Sequence, residues 1–394
     1  MSVDISPMPA TERAQWIPPS QWPTGSDHLF TPGPFRADVQ LPVVTRYADV
    51  RTVLVNADAT FSRVVPFAVI PAELRHRTLY ASWGLDGAEH RRARQSLASI
   101  NRGSTAAARR FTRELTERLT RQLLREPPPW DLSRVIYAVS MQVVVEHTMQ
   151  APVLLPHVRR LRELTRDHVA AAGGFFGIRR DPEAEKILTL VVDGYGDMPA
   201  GGLARHLGDL HRRRPDEFTV DHLIGQLWLL AVSSETQATE VASLMGMMLE
   251  TGEYGYARGI LDDPAALKLL VAEAGRRGIV FPASLVVPQR PVVLDRQTLD
   301  AGRPCLISYA AANLDPAVFD DPLRFEPRRP QNPKHLAFGV GDHRCQGEVG
   351  AEQFVADVTT TLLRVLPADV RLHTGLLHRE TGISMSVACL PVVA

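Results

Sequence analysis

Apolar residues recur at helical spacing through most of the chain. From Gly87 onward this spacing predicts helices over residues 88–99, 104–125, 131–149, 153–172 and 182–195, and another over 347–365. A short strand is predicted from Leu41 to Thr45. A short helix is predicted over 47–56, with its apolar residues on one face. The order is therefore mainly helical.

The longest helix predicted spans residues 221–250 and would be about 45 Å long at ~1.5 Å per residue. Its two ends are apolar, whereas its middle, from Ser233 to Glu240, is polar. A membrane-spanning role is excluded, because Glu235 would lie at mid-span. Either the polar patch pairs with a neighbouring helix, or it serves a function that justifies burying an acid.

Beyond residue 280 the pattern changes to short apolar runs separated by Pro and Gly, which predict a minor β region that continues after Val370. Residues 1–40 are rich in Pro and Gly and are expected to wrap the surface, and 64–83 are expected to form an apolar loop. No repeat or linker divides the chain. We therefore expect one α+β domain over residues 1–394, mainly α.

Composition narrows the function classes. Among 394 residues, 44 Lys and Arg balance 44 Asp and Glu, which argues against a nucleic-acid partner. Three scattered cysteines argue for a reducing compartment without disulfides. The first residues resemble neither a secretory signal nor an anchor, and no run of eighteen apolar residues occurs. We expect a cytoplasmic protein with no membrane partner.

The segment from His335 to Gly347 carries the strongest chemical signal. Phe338, Gly339 and Gly341 precede Cys345, and Gly347 follows it where a helix begins. Glycines let the backbone approach a flat ligand, and a helix N-terminus favours the thiolate. A buried structural cysteine is the usual alternative, but this setting favours a soft metal ligand.

These residues resemble the haem-binding signature of the cytochromes P-450, in which a cysteine thiolate holds the iron. The resemblance continues along the chain in the same order, through VTRYADVRTVL near residue 50, Glu89-His90-x-x-x-Arg94, Ser234-Glu235-Thr236, Glu273-x-x-Arg276 and residues 311–329. It implies a triangular fold of the soluble bacterial type, with the helix over 221–250 crossing haem b and Cys345 as the iron ligand.

The same resemblance assigns further residues. Phe338, Gly339 and Gly347 would contact the haem, and the haem propionates would be held by His90, Arg94, Arg290 and His343. Glu273, Arg276 and Arg329 would form a buried charged network that supports the cysteine loop; an ordinary surface ion pair is the alternative. Glu235 and Thr236 would deliver protons during the activation of O2.

The sequence departs from the family pattern at several places. Val232 and Ser233 stand before the acid–alcohol pair where small residues are expected, so Ser233 either narrows the oxygen groove or adds a hydroxyl to it. Gly275 is a poor helix former inside the Glu-x-x-Arg helix. Glu352 stands where a basic residue is expected, which bears on the choice of redox partner.

We therefore predict a monomeric monooxygenase that takes electrons from a separate ferredoxin-type donor and its reductase, with NAD(P)H only an indirect reductant. Its substrate would be a small hydrophobic molecule, such as a secondary metabolite. Residues proposed for the pocket, with plain core as the alternative, are Phe67, Val69, Ile70, Leu230, Ser233, Ser234, Leu285, Val286 and Val287. Two other readings stay open: a peroxygenase, oxidative cyclase or dehydratase, and a haem-binding protein without catalysis.

Overall fold

A computed structural model describes residues 3–6, 29–30, 41–64, 78–79, 84–170, 178–179, 181–294, 297–330, 334–373, 377–380 and 385–394. Its α-helices, in chain order, are α1 (Tyr47–Val55), α2 (Gly87–Ser96), α3 (Ala106–Leu123), α4 (Ser133–Val143), α5 (Val158–Ala170), α6 (Pro182–Asp193), α7 (Leu203–Arg213), α8 (Val220–Thr251), α9 (Tyr254–Gly259), α10 (Pro264–Arg277), α11 (Tyr309–Asn313) and α12 (Glu348–Val365).

The strands of the described part of the chain are short, and most of them lie after residue 280. They are β1 (Leu29–Phe30), β2 (Leu41–Val44), β3 (Phe61–Ser62), β4 (Thr78–Leu79), β5 (Trp130–Asp131), β6 (Ile178–Arg179), β7 (Ala283–Pro288), β8 (Val292–Leu294), β9 (Gln297–Leu299), β10 (Cys305–Ser308), β11 (Arg371–Leu372), β12 (Leu377–Glu380), β13 (Met385–Cys389) and β14 (Pro391–Val393). The largest sheet has the order β1-β2-β10-β7-β3, with β2 and β10 parallel.

Helix α8 is the central element of the fold. Its N-terminus is capped by Thr219, whose hydroxyl accepts a hydrogen bond from the His222 backbone N–H at 3.2 Å, and Gly252 ends it with a left-handed backbone. The first half of α8 packs with α5, α6 and α7 in one apolar cluster, and the second half packs with α3, α4, α10 and α12 in another. The polar middle of α8 therefore lies where the two cores meet.

The mainly helical fold and the long central helix are confirmed, as is the helix predicted over 347–365. The predicted helix over 131–149 divides into α4 and a π-helix over Val144–Met149, because the wider turn shifts the register before the left-handed Gln150. The prediction over 153–172 begins with a 3₁₀ turn, Pro152–His157, because Pro156 lacks an N–H to continue an α-helix. In the part of the chain that the structure describes, no helix is long and apolar enough to cross a membrane.

A buried ion network joins α10 to the segment before the cysteine loop. Arg276 donates to both carboxylate oxygens of Glu273, at 2.8 and 2.7 Å, and Arg329 donates to Glu273 at 3.2 Å. Arg276 also donates to the carbonyl of Asn313 at 2.8 Å, and the Asn313 side chain accepts from the Leu336 N–H at 2.7 Å. These contacts tie the network to the first residues of the loop, so a supporting role for Glu273, Arg276 and Arg329 stays a prediction that this geometry allows.

We expect Glu273→Gln to lower the free energy of unfolding by about 3–5 kcal/mol, because it leaves two buried guanidinium groups without a counter-charge. The measurement is equilibrium denaturant unfolding. Glu117→Gln is the matched control, since Glu117 forms an exposed helical pair with Arg121 and its loss should cost less than about 1 kcal/mol. Equal losses in the two variants would contradict the structural role.

Candidate functional site

The cysteine loop is a tight turn that ends at α12. A hydrogen bond from the Cys345 N–H to the Phe338 carbonyl, at 2.8 Å, closes the turn. Gly339 and Gly341 have φ of +67° and +78°, which disfavour any residue with a Cβ. A Cβ on Gly341 would also lie 2.4 Å from the Leu54 carbonyl oxygen, so the loop packs directly on the end of α1.

The Cys345 thiol is accessible at its surface, although many protein atoms surround it. Burial raises the pKa of the thiol to about 11, against the opposing effects of the Gly347 N–H and Arg94. The helix N-terminus does favour the thiolate, as expected, but it is outweighed by desolvation. A thiol in this setting loses its proton on binding a metal, because a coordinating thiol is deprotonated outright.

Two histidines stack beside the loop. The rings of His90 on α2 and His343 lie 4.0 Å apart at 26°, and His343 Nε2 lies 3.4 Å from the Asp86 carboxylate. Burial, together with the charges of His343 and Arg94, lowers the pKa of His90 to about 4. Within the described residues, His90 Nε2 and His343 Nδ1 are buried without a hydrogen-bond partner. Two such nitrogens at one edge fit the carboxylates of a haem.

Asp86 fixes this edge to the sheet. Burial would raise its pKa, but hydrogen bonds from His343, Ser62 and the Arg63 N–H lower it to about 2. The carboxylate therefore stays ionised and orients the His343 ring while it joins β3 to the start of α2.

Arg94 also belongs to the loop's surroundings. Its guanidinium donates to the Arg344 carbonyl at 2.8 Å, and the Gln346 side chain donates back to the Arg94 carbonyl at 2.9 Å. Arg290, in contrast, donates to the Thr60 hydroxyl at 3.0 Å and pairs with Asp58 on the exposed surface. The structure thus brings His90, His343 and Arg94 together, whereas the Arg290 guanidinium contacts Asp58 and Thr60, because β7 pairs with β3 just after that turn.

The hydroxyls in the middle of α8 are turned onto their own helix. Ser233 donates to the Leu230 carbonyl at 2.6 Å, and Thr236 donates to the Ser233 carbonyl at 2.9 Å. Both hydroxyl groups already donate their proton to a backbone carbonyl, so each can take part in a further hydrogen bond only as an acceptor. Helix α8 is continuous through this region.

Glu235 lies on another side of α8 from these hydroxyl contacts. It is buried, at 3% exposure, and interacts electrostatically with Arg162 of α5 and Tyr137 of α4. Burial lowers the pKa of Arg162 to about 10, an effect that Glu235 opposes. Arg162 donates to the backbone carbonyl of the exposed residue Asp4 at 3.0 Å. The acid is therefore linked through one arginine to the protein surface.

Sequence reasoning missed Tyr137 and Arg162. Arg162 could have been found as a charge among the apolar positions of a helix whose neighbours Leu161 and Leu164 are buried. Tyr137, whose hydroxyl lies 3.0 Å from the Thr239 hydroxyl, carried no comparable signal, because its partner belongs to a distant part of the chain.

The expected pocket residues are divided. Phe67, Val69 and Ile70 lie outside the described residues. Val286 packs in the apolar cluster under the largest sheet, whereas Leu285 and Val287 alternate onto its other face. Leu230 belongs to the cluster around the first half of α8. The Ser234 hydroxyl donates to the Ala231 carbonyl and approaches the Met141 sulfur at 3.7 Å, so it faces α4.

Comparison with known proteins agrees with this geometry. A model of the cytochrome P-450 family matches residues 276–371, which hold the cysteine loop but not α8. Biflaviolin synthase of Streptomyces coelicolor is 28% identical over 72% of this chain and 69% of its own length. Mycinamicin IV hydroxylase/epoxidase of Micromonospora griseorubida is 28% identical over 89% of both chains.

Solved structures share the fold. A mycinamicin VIII methyl hydroxylase from Micromonospora griseorubida superposes with a TM-score of 0.76 at 22% identity, over 93% of this chain and 94% of that one. A myxobacterial cytochrome P-450 in complex with myristic acid gives a TM-score of 0.76 at 24% identity, over 93% and 92%. At these identities the likeness concerns the fold alone.

We expect Arg94→Gln to weaken haem retention roughly tenfold or more, because a charge-assisted hydrogen bond contributes about 1.5–3 kcal/mol. The rate of haem transfer to an acceptor apoprotein measures it. Arg91→Gln, an exposed change one turn away on α2, is the control and should leave the rate unchanged. Equal rates of haem transfer for the two variants would reject the assignment of Arg94 as a propionate ligand.

Proposed function

The chain belongs to the cytochrome P-450 family, and on that basis we propose that it is a haem-thiolate monooxygenase. It inserts one oxygen atom of O2 into a small, largely hydrophobic organic molecule. The observation that carries the proposal is the accessible Cys345 thiol at the end of a glycine turn. Beside it lie two stacked histidines, each with a nitrogen that has no hydrogen-bond partner among the described residues.

These residues are the proposed contacts for haem b. Cys345 would bind its iron, and the backbone at Gly347 packs beside the sulfur, where a Cβ would lie at an ordinary contact distance of 3.8 Å. His90, His343 and Arg94 would hold the propionates, and Arg290 would join them by turning from Asp58. A bound haem with a thiolate ligand supplies the activation of O2.

The residues of α8 would manage the protons that this chemistry consumes. The Thr236 hydroxyl is half-buried and donates its proton to the Ser233 carbonyl, so its oxygen would be available to accept a hydrogen bond. Glu235 would carry the protons, and Arg162, which interacts with it electrostatically and is itself anchored to the Asp4 carbonyl, would hold the carboxylate in place. The two neighbours thus have separate tasks: Thr236 holds a proton donor in position, and Glu235 supplies the proton.

Electrons would come from a separate ferredoxin-type donor and its reductase, with NAD(P)H as the ultimate source. Near the cysteine, Glu348 is already neutralised by Lys334 and Arg344. Arg91 is exposed on α2, which leaves a basic residue near this face despite the acidic Glu352. An acidic donor is therefore compatible with the surface around the loop.

The proposal for the substrate rests on the apolar character of the proposed pocket residues and on the names of the relatives. Leu285 and Val287 would form an apolar wall of the pocket, as would Leu230 from α8. Relatives at 28% identity bear the names of a biflaviolin synthase and a mycinamicin hydroxylase/epoxidase. The proposed substrate class is therefore a secondary metabolite, which this enzyme would modify late in its synthesis.

A second function has one specific observation in its favour. Helix α8 is continuous, and Ser233 occupies the position expected to leave room for oxygen. This arrangement suits a haem-thiolate enzyme with other chemistry, such as a peroxygenase. Turnover with hydrogen peroxide but not with O2 and reduced ferredoxin would favour this function over the monooxygenase, and a haem protein that turns over with neither would be a binding protein.

The carbon monoxide difference spectrum of the reduced protein tests the ligand. We expect the red-shifted band of thiolate-ligated haem in the wild-type protein and its loss in Cys345→His, because imidazole is a neutral donor. Cys389→Ser, which changes a partly buried cysteine elsewhere, should keep the band. A band that survives in Cys345→His would reject the assignment.

Thr236→Ala should consume reductant at a near-normal rate but release hydrogen peroxide in place of most of the product. The reason is that the hydrogen-bond acceptor near the reacting oxygen is lost. The ratio of product to reductant measures the effect. Thr251→Ala is the control, because Thr251 bonds a carbonyl of the same helix at 2.7 Å but lies exposed at its end. Unchanged coupling in Thr236→Ala would contradict the role.

A further inference from the structure

Residues Val3–Ser6 bridge two helices of the core and are called the strap below. Arg162 of α5 donates a hydrogen bond to the backbone carbonyl of Asp4 at 3.0 Å. Arg134 of α4 donates to the next carbonyl, that of Ile5, at 2.6 Å. Two consecutive carbonyls of the strap are therefore held by guanidinium groups from two different helices.

The side chains of the strap fix it to the protein. Ile5 is 3% exposed and belongs to the apolar cluster of α3, α4 and the second half of α8. The Asp4 carboxylate accepts a hydrogen bond from the Ser6 N–H at 2.7 Å, which turns the chain. The same carboxylate pairs with Arg159 of α5, but both partners are about two-fifths exposed, so this ion pair contributes little. The buried Ile5 side chain and the two carbonyls therefore hold the strap in place.

Arg162 depends on the strap because its guanidinium lies inside the protein. The residue is 5% exposed, and its Nε has no hydrogen-bond partner among the described residues. Within the described part of the chain, the hydrogen bond to the Asp4 carbonyl is the one that this guanidinium donates. A buried charged group that loses its acceptor is costly, so α5 would have to move until water reached Arg162. The docking of the strap and the position of α5 are therefore coupled.

Helix α5 covers the first half of α8. Leu161 and Leu164, which flank Arg162 in the sequence of α5, are buried in the same apolar cluster as Leu230 of α8. Leu230 is a proposed pocket residue, and its carbonyl accepts the hydrogen bond of Ser233. A displacement of α5 would therefore uncover the part of α8 that borders the proposed pocket.

We propose that the strap holds α5 against α4 and α8, and that undocking the strap loosens α5 and opens the proposed pocket to solvent. Arg134 is itself fixed by two hydrogen bonds to the Glu126 carboxylate, at 2.6 and 2.8 Å. The α4 side is thus the firm anchor, and the contact with Arg162 is the one that yields. The opening of the pocket rests on the proposed function, whereas the hold on α5 does not.

Hydrogen–deuterium exchange of the holoprotein, followed peptide by peptide, tests the hold on α5. Ile5→Asp places a charge in the apolar cluster and should undock the strap, so the amides of α5 should exchange about tenfold faster or more than in the wild type. Ile5→Ala, which leaves a hole instead of a charge, should raise the exchange rate by a smaller factor and serves if Ile5→Asp does not fold. The amides of α10 should exchange as in the wild type, which excludes global unfolding as the cause.

Two arginines of α5 show whether the strap acts through its carbonyl contact. Arg162→Met removes the guanidinium that needs an acceptor, so Ile5→Asp should change the exchange of α5 little in that background. Arg159→Gln is the matched control, because it removes exposed ion pairs of the same helix and should leave α5 like the wild type. The same increase from Ile5→Asp with and without Arg162 would overturn the coupling.

The rate at which imidazole binds the ferric haem measures the opening of the pocket, and it should rise about threefold or more in Ile5→Asp. Wild-type exchange of α5 in Ile5→Asp, together with faster exchange of residues 3–6, would overturn the hold on α5. An unchanged imidazole rate with a loosened α5 would overturn the opening of the pocket. Absence of the thiolate spectrum in the wild type would overturn the proposed function, while the exchange experiment would still decide the hold on α5.

Discussion

The carboxylate of Glu273 is shared between two buried guanidinium groups, those of Arg276 and Arg329, and the position of the cysteine loop depends on this sharing. Arg276 has donors to spare and uses one of them on the Asn313 carbonyl, while the Asn313 side chain holds Leu336. The loop therefore starts from a fixed point. A buried ion network is costly to assemble, but once complete it cannot lose one member without exposing the others to an apolar interior.

At the other end of the loop, burial and the nearby polar groups act in opposite directions on the pKa of the Cys345 thiol. Desolvation raises the pKa of Cys345 to about 11, although a helix N-terminus and Arg94 act in the opposite direction. The apolar surroundings of the thiol therefore outweigh the polar groups that favour the thiolate. A metal ion that binds the sulfur supplies the charge that the surroundings lack, because a coordinating thiol is deprotonated.

Local patterns predicted the long helix, the cysteine turn and the charged network, because helical spacing and glycine turns are short-range signals. The sequence could not place Arg290, whose guanidinium lies on Asp58 because a strand pairing brings residues far apart in sequence together. It also missed Tyr137, whose hydroxyl meets Thr239 of a distant helix. Gly275 was recognised only as a poor helix residue, since a Cβ there would approach the His335 ring to 3.2 Å, and His335 lies sixty positions later.

Helix α8 carries two buried glutamates, Glu235 and Glu240, whose surroundings differ. Glu235 and Glu240 are five residues apart, which turns them to different sides of the helix, about 7.5 Å apart along its axis. Glu235 interacts with Arg162, whose pKa it raises, whereas burial and then the charge of Glu352 raise the pKa of Glu240. One acid therefore lies beside a buried cation, and the other, without such a cation among the described residues around it, favours its protonated form.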